Sequence, residues 1–155
     1  MKRFLLAFIL LLFLAAPVQA AYMYQFNYQF QGIALDDTGV KTGVWTYFAD
    51  NLIGLDSVAG IMPSDLASSS SDSKYPFTEI MISVDLGENE SHVRMHFDLT
   101  GAPDPPNGGQ YFPFVDWFFF GKSFNAPETY ITDWGQGATM TIREIPTGVP
   151  EPATM

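Results

Sequence analysis

The chain has 155 residues, with seventeen acidic side chains against seven basic ones, a net charge of −10 at pH 7, and no cysteine. Without cysteine it can form no disulfide, no thiolate nucleophile and no Cys-ligated zinc site. An acidic surface repels phosphate backbones and anionic lipid head groups, so we expect no nucleic-acid partner and no electrostatic adhesion to membranes.

Residues 1–20 have the pattern of a secretory signal peptide. Lys2 and Arg3 precede the apolar run FLLAFILLLFLAA, and the small-residue pattern VQA ends at Ala20. We therefore predict that signal peptidase cleaves between Ala20 and Ala21 and that the mature chain is exported. An uncleaved amino-terminal anchor is the alternative, although the run is shorter than the roughly 20 residues of a membrane span. Cleavage would leave five basic residues against seventeen acidic ones, a net charge of −12.

The rest of the chain is predicted to be all-β. In residues 22–31, YMYQFNYQFQ, every second residue is aromatic and those between are amides from Gln25 onward; residues 91–99, SHVRMHFDL, have the same period of two. Other predicted strands cover residues 42–49, 78–86, 111–120 and, more weakly, 138–145. Faces that alternate in this way are typical of antiparallel sheets packed against each other. We expect an antiparallel β-sandwich, jelly-roll-like in class, over residues 21–146.

The period of two also predicts which side chains form the core. The residues expected to be buried are Tyr24, Phe26, Tyr28, Val93, Met95 and Phe97. The residues expected to lie outside the core are Gln25, Asn27, Arg94 and His96. Residues 62–76 are polar and Ser-rich, and we expect them to form a mobile surface loop.

Catalytic motifs are absent from the sequence. His92 and His96 would align on a helix, but no Glu follows the first His, and on a strand they would lie about 13 Å apart. There is no GxSxG motif of a serine hydrolase. Among seventeen acidic residues, a pair of carboxylates is weak evidence for a glycoside hydrolase site. We predict that the protein is not an enzyme and needs no cofactor or metal. In the acidic turn DLGENE, Asp85, Glu88 and Glu90 could hold calcium, but the turn lacks the ordered spacing of a calcium loop, and a solvated hairpin tip is the favoured alternative.

Two Asp-Trp pairs are candidate carbohydrate-binding residues. Trp117 follows Asp116 in VDWFFFG, and Trp134 follows Asp133 in TDWGQG. An aromatic plane beside a carboxylate acceptor can serve as a platform for a sugar ring. Core packing is the alternative for both tryptophans, and it is favoured for Trp117 because three phenylalanines follow it.

The last residues predict an extended, exposed tail over residues 147–155. In the sequence GVPEPATM, the residue before each proline is biased toward extended geometry. Pro150 and Pro152 also lack the N–H that a central strand needs.

Together, the signal peptide, the cysteine-free all-β middle and the sequence VPEPAT resemble exported proteins that carry a PEP-CTERM sorting signal. In that family the motif is recognised by exosortase, a membrane-embedded cysteine protease-transpeptidase of Gram-negative bacteria that make exopolysaccharide. The matching residues are Val149, Pro150, Glu151, Pro152, Ala153 and Thr154. Family members continue into an apolar membrane helix and a basic cluster, whereas this sequence ends at Met155. Truncation at the motif and release without an anchor both stay open.

The resemblance implies a non-catalytic extracellular or cell-surface protein, associated with an exopolysaccharide or biofilm matrix and processed by an exosortase-type enzyme. The alternative function is a carbohydrate-binding module that uses Trp134 and Trp117. A glycoside-active enzyme is a third and weaker alternative.

Overall fold

The fold is described by a computed structural model over residues 21–54, 57–85, 90–105, 108–133 and 136–146. This part of the chain contains nine strands: β1 Ala21–Gln31, β2 Val40–Ala49, β3 Ser57–Ile61, β4 Ser68–Ser71, β5 Phe77–Asp85, β6 Glu90–Phe97, β7 Phe114–Phe120, β8 Thr129–Ile131 and β9 Thr139–Ile145. One 3-10 turn, Pro63–Asp65, lies between β3 and β4. Within the described ranges, no helix has the length and apolarity needed to cross a membrane.

The strands form two antiparallel sheets whose apolar faces enclose one core. The first sheet has five strands in the order β4-β2-β1-β9-β8, and the second has four in the order β3-β5-β6-β7. Strands that follow each other in the chain pair in four places: β1 with β2, β5 with β6, β6 with β7 and β8 with β9. The predicted all-β antiparallel sandwich is confirmed.

The predicted inner and outer faces are also confirmed. All six residues expected in the core are buried: Tyr24, Phe26, Tyr28, Val93, Met95 and Phe97. Of the residues expected outside it, Asn27 is exposed, and the other three are partly exposed: Gln25, Arg94 and His96. Side chains alternate between the two faces of a strand. Once one residue of β1 or β6 is correctly placed in the core, the face of every other residue in that strand follows.

Phe26 lies at the centre of the core and is 0% exposed. Its ring centroid is 5.3 Å from that of Trp45 in its own sheet. From the opposite sheet, Trp117 approaches it edge-on at 5.2 Å and Phe119 lies at 6.4 Å. Aromatic pairs of this kind contribute about 0.5–1.5 kcal/mol each beyond the area they bury. The contacts of Phe26 with Trp117 and Phe119 join the two sheets, in a chain that has no cysteine and so no disulfide to do so.

The prediction of a mobile loop over residues 62–76 is wrong. Ser68–Ser71 form β4, which pairs with β2, and Tyr75 is buried. Asp37 accepts hydrogen bonds from the Ser73 hydroxyl at 2.9 Å and from the Lys74 N–H at 3.0 Å. All four serines of β4 are exposed, so this edge strand depends on backbone pairing and shows no alternation. The short strands β3 and β8 were likewise not predicted from the sequence.

We expect Phe26→Ala to lower the free energy of unfolding by about 3–5 kcal/mol, because it leaves a cavity between the two sheets. Phe112 is 74% exposed, so Phe112→Ala is the matched control and should change it by less than about 0.5 kcal/mol. Urea unfolding followed by tryptophan fluorescence measures both. Equal losses in the two variants would contradict this description of the core.

Candidate functional site

The candidate site is a cleft beside the part of β1 that pairs with β2 on one side but has no partner strand on the β9 side. β9 pairs with β1 from Ala21 to Asn27, whereas β1 continues to Gln31. β7 is an edge strand of the second sheet. A solvent-open cleft of about 310 Å³ lies between the end of β1 and β7. We call it the β1–β7 cleft.

The lining of the β1–β7 cleft combines polar side chains with apolar ones. Its polar residues are Gln29, Gln31, Asp116 and Gln136. Its apolar residues are Phe30, Val40, Val115 and Trp117. A concave surface with a few convergent polar groups on an apolar base is the usual form of a small-molecule site, and the volume lies near the lower end of the common range of about 300–1,000 Å³.

Trp117 holds the two walls of the cleft together. Its indole N–H donates a hydrogen bond to the Gln29 carbonyl oxygen at 3.0 Å. Its ring also contacts Tyr28 and Phe30, with centroids at 5.5 Å and 6.1 Å. Trp117 is 1% exposed, so neither face of its ring is free to stack on a sugar. The interpretation of Trp117 as a sugar platform is therefore wrong, because its ring faces are occupied by core aromatics.

Asp116 lies on the rim of the cleft in a fixed orientation. The Arg94 guanidinium donates two hydrogen bonds to its carboxylate, from Nε to Oδ1 at 2.7 Å and from Nη2 to Oδ2 at 2.8 Å. The bonds to Asp116 raise the pKa of Arg94 above its ordinary value. A carboxylate offers about four acceptor positions, so Asp116 can still accept hydrogen bonds from a ligand.

The segment between β8 and β9 caps the outer edge of β7. The Phe118 N–H donates to Gln136 Oε1 at 2.9 Å, and the Phe120 N–H donates to Asp133 Oδ2 at 2.8 Å. The Asp133 N–H in turn donates to the Phe118 carbonyl at 3.3 Å. Side chains that bond an edge strand in this way block its pairing with another chain. Asp133, predicted as a sugar acceptor, thus caps β7.

Of the other predicted site residues, Ala21 is the first residue of β1, and the rest lie in the cleft or outside the described residues. Asp116 lines the cleft, whereas Trp134 lies outside the described residues. So do Ala20 and residues 149–154 of the sorting motif. The three glutamines of the cleft were missed by the sequence analysis: Gln29, Gln31 and Gln136. Gln29 and Gln31 have the pattern of ordinary solvent-facing residues on a strand, and Gln136 lies in the segment between β8 and β9. Only the arrangement of the strands brings the three opposite β7.

The two histidines lie on the outward face of β6, as expected for His96. His92 contacts Phe118 and His96 contacts Phe114, each with ring centroids 5.8 Å apart. The Arg94 guanidinium lies 4.4 Å from the Phe114 ring centroid. Within the described ranges, no three His, Asp or Glu side chains are grouped so that they could hold a metal ion.

A second polar cluster joins the β1–β2 loop to the β4–β5 loop. The Asp37 side chain is fully buried and pairs with Lys41 Nζ at 3.0 Å, in addition to its bonds from Ser73 and Lys74. Burial acts to raise the pKa of Asp37, but these three partners together outweigh it and hold the pKa below its ordinary value. The neighbouring Asp36 pairs with Lys74. The partners of this cluster lie within the chain, and its effect is to fix the two loops.

Comparison with known proteins gave no relative. No protein-family model matches the chain. No curated protein and no solved structure matches it significantly either. Its function is therefore inferred from its own residues and their arrangement.

Asp37 should make stability depend on pH in the acid range. Its folded pKa is lower than the unfolded value of about 3.9, so the carboxylate stabilises the fold above that pH, and this stabilisation is lost as the pH falls toward the folded pKa. Asp37→Asn should lower the free energy of unfolding at pH 7 by about 1–3 kcal/mol. Its melting temperature should also fall less steeply below about pH 4 than that of the parent.

Thermal melts followed by circular dichroism between neutral and acid pH measure this difference. Asp50 is exposed, so Asp50→Asn is the control and should follow the parent. A parallel pH dependence in the parent and the Asp37 variant would show that Asp37 carries no such stabilisation.

Proposed function

We propose that the chain is a non-catalytic exported protein of a polysaccharide-rich extracellular or cell-surface matrix, sorted through residues 149–154. The observation that carries this proposal is the position of the two ends of the domain. Ala21, the predicted first residue of the mature chain, pairs with Ile145 near the predicted start of the tail. A leader before Ala21 and a tail after residue 146 would therefore be attached to neighbouring strands, at the same end of the pair β1 and β9.

This arrangement suits a protein that is processed at both ends. β1 begins at Ala21 and β9 ends at Ile145. Cleavage before Ala21 or within residues 149–154 would therefore cut none of the nine described strands. A stiff tail with two prolines would also present its Glu151 side chain to an enzyme in extended form.

The core is consistent with folding in an exported compartment. Small exported domains are often stabilised by disulfides, which this chain cannot form. Instead it buries a continuous set of aromatic and aliphatic side chains from both sheets. Burial of this kind does not depend on the redox state of the surroundings.

Carbohydrate binding is the second candidate function, and one observation favours it. The β1–β7 cleft brings three amide side chains and one carboxylate together above apolar residues. This site differs from the predicted Trp platform, because it uses the outward glutamines of β1.

The sorting role is tested by replacing Pro150, Glu151 and Pro152 with alanine. The chain is expressed with an apolar helix and a basic cluster after Met155, in a bacterium that has an exosortase. We expect the parent to be processed and to start at Ala21, and the variant to accumulate unprocessed in the membrane. Fractionation with amino-terminal sequencing measures both.

The chain contains a matched control for this substitution. Pro103, Asp104 and Pro105 form a second Pro-acid-Pro sequence within a turn of the domain. Replacing these three residues with alanine should leave processing unchanged. Normal processing of the tail variant would overturn the sorting role, and exported material that starts at Met1 would overturn the signal peptide.

A further inference from the structure

We propose that the β1–β7 cleft binds a neutral sugar unit of an extracellular polysaccharide. The biological setting rests on the proposed function, but the binding itself depends only on the residues of the cleft. Four properties of the cleft support this: its hydrogen-bonding groups, its apolar surface, its charge and its position in the domain.

The hydrogen-bonding groups match those of a sugar ring. Each sugar hydroxyl can donate and accept, and a glutamine amide offers both functions in one plane. Gln29 and Gln31 are exposed and project from the same face of β1. Gln136 is oriented by the bond from the Phe118 N–H, which can only donate and so fixes the amide oxygen toward β7. Its NH₂ group is then the part that can donate to a ligand.

The loop opposite β1 is shaped around one of these glutamines. Gly137 has a φ of 68°. A Cβ on Gly137 would overlap the Gln29 side chain, so a glycine here lets the Gln29 amide lie against the loop backbone. The contact brings the amides of β1 and of the loop to the same rim of the cleft.

The apolar surface of the cleft can pack against the C–H face of a sugar. Val40 is 56% exposed and Val115 is partly exposed, so both offer aliphatic surface to a ligand. Phe30 and Trp117 form the buried base beneath them. Apolar contact on one face and hydrogen bonds at the edge are the two forms of contact that orient a ligand in such a site.

The charge of the cleft favours neutral sugars over acidic ones. None of the described residues that line it is basic, and Asp116 is acidic. The nearby Arg94 is paired with Asp116 through two hydrogen bonds. The predicted mature chain also has five basic residues against seventeen acidic ones. A uronate carboxylate would therefore meet repulsion, with no basic side chain among the described lining residues to offset it.

The cleft lies far from the end of the domain that carries the tail. Gln29 is eight residues along β1 from Ala21, which corresponds to about 27 Å in an antiparallel strand. A domain held at a surface through its tail would present the cleft away from that surface. Binding and attachment would then use opposite ends of β1.

The test is a titration of the ¹⁵N-labelled chain, recovered after export, with single sugars at millimolar concentration. The neutral probes are glucose, galactose, mannose and N-acetylglucosamine. Because they are monosaccharides, the result does not depend on the type of glycosidic linkage. Glucuronate is the matched acidic probe, since it differs from glucose by the carboxylate at C6. We expect at least one neutral sugar to shift the side-chain amide signals of Gln29, Gln31 and Gln136. Glucuronate should bind at least about tenfold more weakly than glucose.

Gln31→Ala and Gln25→Ala form a matched pair of variants. Both glutamines lie on the outward face of β1, but only Gln31 lines the cleft. Gln31→Ala should weaken binding of the best neutral sugar about tenfold, the effect of one lost hydrogen bond. Gln25→Ala should bind as the parent does.

Three results would overturn the proposal: no amide shift with any neutral sugar, binding of glucuronate as tight as that of glucose, or unchanged binding by the Gln31 variant. Circular dichroism of each variant establishes that it is folded. A failed titration would leave the processing of the tail unaffected. Failed sorting would likewise leave the titration unaffected, so the two proposals can be rejected separately.

Discussion

The structure depends above all on the contact between Trp117 and β1. β7 is an edge strand of the second sheet, and inside the sandwich its inward side chains tie it to the first sheet. Trp117 does so in two ways: its ring packs edge-on against Phe26, and its indole N–H donates to the Gln29 carbonyl. That carbonyl belongs to the part of β1 that β9 does not reach. One side chain thus donates to a carbonyl oxygen on the unpaired edge of β1, joins the two sheets and forms part of the lining of the cleft.

The same need to satisfy strand edges explains the segment between β8 and β9. Asp133 and Gln136 bond the outward N–H groups of Phe120 and Phe118, which would otherwise be open to pairing with another chain. Gln136 then also belongs to the cleft. Gln136 therefore has two roles: it protects the edge of β7, and it lines the candidate site. A requirement for ligand binding and a requirement for a protected strand edge would both constrain this residue.

The sequence predicts most where one face of a strand is buried and the other is not. On β1 and β6 the alternation of apolar and polar residues determines the register, and with it the core. β4 gave no such signal, because its four serines are exposed and its pairing uses the backbone alone. The prediction of a mobile loop over residues 62–76 failed for a related reason. The hydrogen bonds that fix Ser73 and Lys74 are made to Asp37, which is distant in the sequence.

The candidate site was less predictable, because it depends on which strands are neighbours. Asp116 was identified from its position beside a tryptophan, but the function of that tryptophan depends on whether its ring is covered. Gln29 and Gln31 resemble any outward pair on a strand until the pairing of β1 with β9 is seen to stop at Asn27. Strand order and strand length are properties of the whole fold, and local patterns do not contain them.

The most direct test of the Trp117 contact compares two substitutions that remove the same atoms. Trp117 and Trp45 are both buried, but the Trp45 indole N–H has no hydrogen-bond partner among the described residues. Trp117→Phe should therefore lower the free energy of unfolding in urea by about 1–2 kcal/mol more than Trp45→Phe, because it alone leaves the Gln29 carbonyl without its donor. Equal losses in the two variants would show that the hydrogen bond to Gln29 does not hold β7 to β1.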